Sequence, residues 1–188
     1  MSTKQKATVE DLYHVPDGRK AELVNGEVVL MSPTGKDPGY AGDAILVSLW
    51  AYAQRMGTGQ AVGDNKGFRV NLPKRQSFSP DAAFYPGDPE GMEFFETAPI
   101  FAAEVRSEND YGRAAEREMA DKRADYFAAG TLVVWDVDLR SEDVVRVHRA
   151  ADPAHPTVYR RSEIAEAEPA VPGWTMPVED LFRQKRKP

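Results

Sequence analysis

The sequence predicts a mixed α/β (α+β) fold: a central sheet with parallel and antiparallel neighbours, flanking helices and an N-terminal β-hairpin. Three observations lead there. Asn25-Gly26 stands between two apolar runs in "AELVNGEVVLM", the strongest short-range hairpin signal. A segment rich in alanine, glutamate and arginine separates the strand-like runs "FAAEVRS" and "TLVVWDVD", as a crossover helix between parallel strands would. Further short apolar runs are split by turn residues, which favours antiparallel pairing.

In chain order, Thr8 caps a short helix through "VEDLYH", with Asp11 in the capping-box position, and the helix ends before "PDG". The Asn-Gly hairpin follows. "SPTGKDPG" reads as a loop before the helix "YAGDAILVSLWAYAQRMG", where Ile45, Leu49, Tyr52 and Met56 form one stripe and Gly57 is the stop. "GFRVNL" and "SPDAAFY", separated by "PKRQSF", are expected to pair as a hairpin with Lys74 and Arg75 at its tip. The second long helix runs from Tyr111 to Ala129 and stops at Gly130. "TLVVWDVD" and "VVRVHR" read as adjacent strands, "TVYRR" as another, and "VPGWTMPVEDLF" lays Trp174 and Phe182 over the core.

At 188 residues, with 41% hydrophobic and 29% charged side chains, the chain is expected to form one globular domain over 1–188. Its ordered core spans about 8–182, followed by a basic tail over 183–188 containing Arg183, Lys185, Arg186 and Lys187. No run approaches the length of a bilayer span, and "MSTKQKATVEDLYHVPDG" lacks a signal-peptide core, so the expected location is the cytoplasm, with no membrane partner. Cysteine is absent and the three histidines are scattered, which leaves oxygen as the ligand for any metal. A net charge of −6 argues against strong non-specific DNA affinity, which phosphate neutralisation normally powers.

The familiar motifs fail. "GTGQAVG" has its glycines out of register for a phosphate loop and follows a helix; GxxxxGK[ST], HExxH and GxSxG do not occur. Carboxylates remain. In "FAAEVRSEND", alternation puts Ala102, Glu104 and Arg106 on one face of a strand and Phe101, Ala103 and Val105 on the other. Asp81 follows Pro80 at the start of another strand. Side by side, Asp81 and Glu104 would repel by about 4 kcal/mol at 4 Å and an effective dielectric near 20. Either a divalent cation offsets that, magnesium or manganese by ligand type, or Asp81 caps a turn and Glu104 meets water at a strand end. On the second helix, Ala115, Met119, Lys122, Tyr126 and Ala129 share one stripe. Lys122 in its middle either snorkels outward or needs a carboxylate, and the preceding strand supplies Glu104.

The ordered set "ELVNGEVVLMSPTG", "SPDAAF", "EVRS", a helix with "K…Y…AG" and then "LVVWDVD" resembles the Uma family of putative restriction endonucleases, within the PD-(D/E)xK nuclease superfamily. The likeness runs from about Leu12 to Phe182. It implies a restriction-endonuclease-like mixed sheet flanked by helices, with Asp81 and Glu104 as metal ligands. The superfamily's lysine normally stands two residues beyond the second carboxylate, where this chain has Arg106. The resemblance suggests that the lysine has moved to Lys122, while Arg106, which stays protonated, contacts phosphate or pairs with Glu104. Glu22 matches another recurrent acidic position and is an auxiliary site residue. Many relatives carry a histidine just before the long helix, where this chain has Gly39 and Tyr40. The weight therefore falls on metal-bound water as nucleophile, with Lys122 orienting or deprotonating it.

The expected function is magnesium- or manganese-dependent endonucleolytic hydrolysis of DNA, by a chain that base rates make a homodimer. Two alternatives stay open: a catalytically silent binding or assembly module on the same fold, and a hydrolase of small phosphodiesters.

Overall fold

The structure, a computed structural model, describes residues 6–183. The tail beyond Arg183, with Lys185, Arg186 and Lys187, lies outside them.

Helix α1, Val9–Leu12, opens at Thr8, whose backbone N–H donates to the Asp11 carboxylate at 2.7 Å, so the expected capping box forms. Strands β1, Ala21–Val24, and β2, Glu27–Leu30, make the hairpin, with Asn25 and Gly26 at φ 54° and 75° as a type I′ turn requires. Helix α2 spans Lys36–Met56 and ends at Gly57 in the left-handed region. It starts four residues before the expected Tyr40, because Pro38 sits in the first turn, where its missing N–H costs nothing. Gly39 and Tyr40 therefore lie inside the helix rather than before it.

Strand β3, Gln60–Gly63, is the sheet edge and was not expected as a strand. The glycines of "GTGQAVG" serve packing: Gly59 has φ +74°, and a Cβ on Gly63 would come within 2.6 Å of Leu46. Strands β4, Phe68–Arg69, and β5, Ser77–Phe78, pair with each other, whereas β6, Ala82–Tyr85, pairs with β3. The expected hairpin of "GFRVNL" with "SPDAAFY" is thus corrected. Its loop closes on residues before Pro80, and beyond that proline the chain joins the main sheet.

Strand β7, Phe101–Val105, then α3, Arg113–Ala128, then β8, Val133–Val137, form the crossover, and β7 and β8 pair in parallel as expected. Strands β9, Val145–Arg149, and β10, Asp152–Tyr159, extend the sheet antiparallel, giving the order β10-β9-β8-β7-β6-β3. A small pair, β11 (Ile164–Glu166) and β12 (Thr175–Pro177), seats Trp174 at 2% exposure beside Trp135, their ring centroids 4.9 Å apart. Phe182 is partly buried against the same core.

The two faces of the sheet differ. Phe101, Ala103, Val105 and Trp135 pack with Ile45 and Leu49 of α2 in the larger core. The opposite face holds a smaller cluster around Tyr126, Phe78 and Val134. Among the described residues no helix is long and apolar enough to cross a membrane.

Candidate active site

The register that sets Ala82 opposite Ala103 brings Asp81 beside Glu104. The Asp81 backbone N–H donates to the Ala103 carbonyl at 3.1 Å, and Asp81 Oδ2 accepts the Val105 N–H at 2.8 Å. The carboxylate is therefore clamped to the next strand by the backbone itself. Glu104 emerges from β7 on the face that α3 covers.

Lys122 does not snorkel. Its Nζ lies 2.8 Å from Glu104 Oε1 and 2.9 Å from Glu22 Oε1, with the side chain 14% exposed. One turn further along α3, the Tyr126 hydroxyl donates to Glu104 Oε1 at 2.6 Å. The ring beneath that hydroxyl is fully buried and stacks on Phe78 at 3.9 Å between centroids. The helical stripe thus delivers two donors to one carboxylate oxygen. Glu104 Oε2 takes no hydrogen bond from the described residues.

Glu22 reaches the site because the hairpin docks onto the segment before β5. Asn25 N–H donates to the Lys74 carbonyl at 2.6 Å, Gln76 N–H to the Leu23 carbonyl at 2.9 Å, and Leu23 N–H to Ser77 Oγ at 2.7 Å. Strand β1 is therefore buried on both sides, and the mixed face on which Glu22 pairs with Val29 turns inward only at Glu22, which is 3% exposed while Val29 is 46% exposed. Glu22 Oε1 accepts the Ser79 N–H at 2.9 Å and Oε2 accepts Arg75 Nη1 at 2.5 Å. Arg75 also donates from Nε to Asp125 at 2.8 Å. Arg75 stands with Lys74 in the turn between β4 and β5, but its side chain is buried while that of Lys74 is exposed.

A second lysine completes the centre and had no place in the sequence reading. Lys20 Nζ stands 2.8 Å from Asp81 Oδ1 and 2.6 Å from Asp64 Oδ1. Its signal was parity, since Lys20 and Glu22 are two residues apart across the start of an extended strand and so share a face. Each member of the Asp81–Glu104 pair thus has its own ammonium.

Burial pushes the Glu104 carboxyl above the usual range; Lys122 pulls against it, while Asp81 and Glu22 add to it. Burial acts on Glu22 in the same direction, but Lys122 and Arg75 outweigh it and hold the group low. Burial alone would lower both lysines. Glu104 and Glu22 reverse this for Lys122, and Asp81 and Glu104 for Lys20, so both ammonium groups are held above the ordinary lysine value.

Counting Glu22, Asp64, Asp81, Glu104 and Asp125 against Lys20, Arg75 and Lys122, five carboxylates face three cations. A dication would neutralise the excess. Among the described residues no three acidic or histidine side chains converge as a ready metal cage. The donor set instead suits an ion that takes one or two carboxylates and leaves its remaining positions to water and phosphate, as magnesium does. Asp81 and the open Glu104 Oε2 are the hard oxygens available for it.

Arg106 lies on the Glu104 face but does not reach Glu104. Its Nε and Nη2 each donate to Asp136 at 2.8 Å, and its Nη1 and Nη2 bond Glu116. The expected pairing of Arg106 with Glu104 is therefore corrected. Asp136 stands opposite Glu104 on the parallel strand and, at 2% exposure, offers a bidentate partner at closer range.

Comparison with known proteins agrees with this architecture. No curated protein matches the chain. The crystal structure of a putative nuclease belonging to DUF820 from Anabaena variabilis is similar in fold, with a TM-score of 0.72 at 16% identity over 93% of this chain and 97% of that one. The family profile Uma2, described as putative restriction endonuclease, matches residues 8–179. With that span covering nearly the whole sheet and every side chain of the carboxylate centre, the chain belongs to the Uma2 family of putative restriction endonucleases.

Proposed function

We propose that the protein is a metal-dependent endonuclease that hydrolyses DNA phosphodiester bonds, with Mg2+ or Mn2+ held by Asp81 and Glu104. The observation that carries this reading is the convergence of Asp81, Glu104 and Lys122 from three separate elements on one partly open, net-negative centre. When bound, a divalent ion supplies charge neutralisation at the phosphate and a lowered pKa for a nearby water.

The protein's own groups do the rest. The Val105 N–H and Lys20 hold the Asp81 carboxylate in one orientation. Tyr126 and Lys122 anchor one oxygen of Glu104, leaving the other directed away from them. Lys122, held between Glu104 and Glu22, is placed to orient the attacking water and to steady charge developing on the phosphate. Glu22 acts as an auxiliary residue by fixing Lys122. Arg106, engaged by Asp136 and Glu116, would reach a substrate phosphate only by giving up one of these carboxylates.

The test is cleavage of plasmid and linear DNA with magnesium or manganese, alongside calorimetric titration of manganese. Asp81→Ala is expected to lose both metal binding and cleavage. Lys122→Ala is expected to keep most metal binding and lose about a hundredfold or more in rate. Cleavage by Asp81→Ala at the parental rate would end this reading. Turnover of a small chromogenic diester in preference to DNA would move it to the small-phosphodiester class.

A further inference from the structure

A polar cavity of about 370 Å3 lies on the Glu104 face of the sheet, lined by Arg106, Arg123, Asp136, Asp138, Arg146 and His148 among others. Glu104 is in register with Asp136 and Asp136 with Arg146, so at about 4.8 Å per strand the Arg146 backbone stands about 10 Å from that of Glu104. The side chains of this cavity are unequally satisfied. Arg106 is saturated by Asp136 and Glu116. Among the described residues, Arg123 makes one side-chain bond, to Asp136 at 3.3 Å, and Arg146 one, to Ser141 Oγ at 3.4 Å. His148 is 7% exposed; its Nδ1 faces the Pro153 carbonyl at 3.4 Å, and its Nε2 is buried with no hydrogen-bond partner among the described residues. A buried polar atom left bare in this way is unfavourable and calls for a partner.

We propose that this cavity is a phosphate subsite in which Arg123 and Arg146 donate to one phosphate group and His148, taking up a proton from solvent, donates to it from Nε2. The assignment of that phosphate to the nucleic-acid strand, next to the one cleaved, rests on the nuclease reading. A free nucleotide phosphate has the same chemistry.

Proton uptake follows from the groups that face the ring. Arg146 on its own strand and Arg123 from α3 oppose an imidazolium; Asp136 from β8 and the Pro153 carbonyl from β10 favour it. Further round the cavity Glu116 of α3 and Arg106 are bonded to each other, and the Asp138 carboxylate accepts the Tyr111 hydroxyl at 2.9 Å, so neither carboxylate is turned on the ring. Burial and the two under-used guanidinium groups prevail, so the ring is neutral in the free protein and its pKa is lowered. An anion between those guanidinium groups cancels their field and offers an acceptor to Nε2–H. Phosphate and proton therefore bind together.

The experiment is calorimetry on the full chain in chelator, where no metal-dependent turnover occurs. The probes are thymidylyl-thymidine, whose diester does not itself titrate near neutrality, thymidine monophosphate and a short oligothymidylate. The diester is expected to bind about tenfold more tightly near pH 6 than near pH 8. Arg146→Met is expected to weaken binding about tenfold, and His148→Gln to flatten the pH dependence. Arg123→Met, read against its circular dichroism spectrum, repeats the first test with a second variant. Failure of all three probes to bind, or equal affinity in the parent and both arginine variants, overturns the subsite. Tighter binding of the oligonucleotide than of the mononucleotide supports a place along the substrate; the reverse overturns that place. Cleavage assays are independent: phosphate binding without cleavage removes the nuclease reading and leaves the subsite standing, and cleavage without phosphate binding does the opposite.

Discussion

Strand β7 divides the molecule into two regions built on opposite principles. On its α2 side Phe101, Ala103 and Val105 meet Ile45, Leu49, Trp135 and Trp174, and contact there is almost wholly apolar. On its α3 side Ala102 gives way to Glu104 and Arg106, and α3 is tied down largely by Tyr126 and by ion pairs from Lys122, Arg123, Asp125 and Glu116. Apolar burial contributes about 25 cal/mol per Å2 whatever the detailed geometry, whereas buried ion pairs roughly break even against desolvation. The α2 side thus holds the fold, and the α3 side uses part of that stability to keep charges close together. A protein that positions like-charged carboxylates needs both.

The sharpest way to break this comparison is at its apolar half. Trp135→Ala is expected to lower the free energy of unfolding by about 3–5 kcal/mol in urea denaturation, since the indole is fully buried and its N–H bonds the Glu166 carbonyl at 3.0 Å. A loss under about 1 kcal/mol would show that the α2 side is not the main core.

On the polar side the largest stability effect should come from Glu22. Glu22→Ala removes a shared partner of Arg75, Lys122 and the Ser79 N–H, and is expected to cost about 3 kcal/mol. Neutral stability in this variant would mean that the hairpin is held by backbone bonds alone. Tyr126→Phe keeps the ring stacked on Phe78 and deletes only the hydroxyl bond to Glu104, so about 2 kcal/mol is expected, together with a fall in kcat at unchanged KM.

The smallest effect is a pH slope. His148 has a lowered pKa in the folded chain, so the unfolded chain binds more protons between that value and the ordinary histidine pKa. Stability is therefore full above the ordinary value near 6.5 and declines as pH falls through the folded value. His148→Gln should remove that decline in urea unfolding followed across acid pH.

Much of this arrangement could be read before folding. The Asn25-Gly26 turn, the crossover of α3 between parallel strands and the stripe ending in Tyr126 are local properties, since turn dihedrals and the periods of helix and strand are set by neighbours along the chain. The alternation in "FAAEVRS" likewise put Glu104 and Arg106 on one face, and the α3 stripe aimed Lys122 toward that face.

Other features were out of reach for the same reason. Strand β3 lay hidden in "GTGQAVG", because its glycines are selected by the close approach of Leu46 and Phe84, residues remote from it in one direction or the other. The hairpin of "GFRVNL" chose β5 over β6 because β6 was already claimed by β3 and β7.

The sequence by itself determined most element types, the parity of the strands and the placing of Lys122 on the inward stripe of the helix that follows Glu104, all short-range consequences of side-chain sterics and spacing. Only the tertiary structure decided who pairs with whom: that Lys20 joins Asp81, that Arg106 turns to Asp136, and that His148 is left bare beside two arginines. Ion pairs and hydrogen bonds act over a few ångströms, and residues dozens of positions apart come within that range only once the sheet order has been chosen.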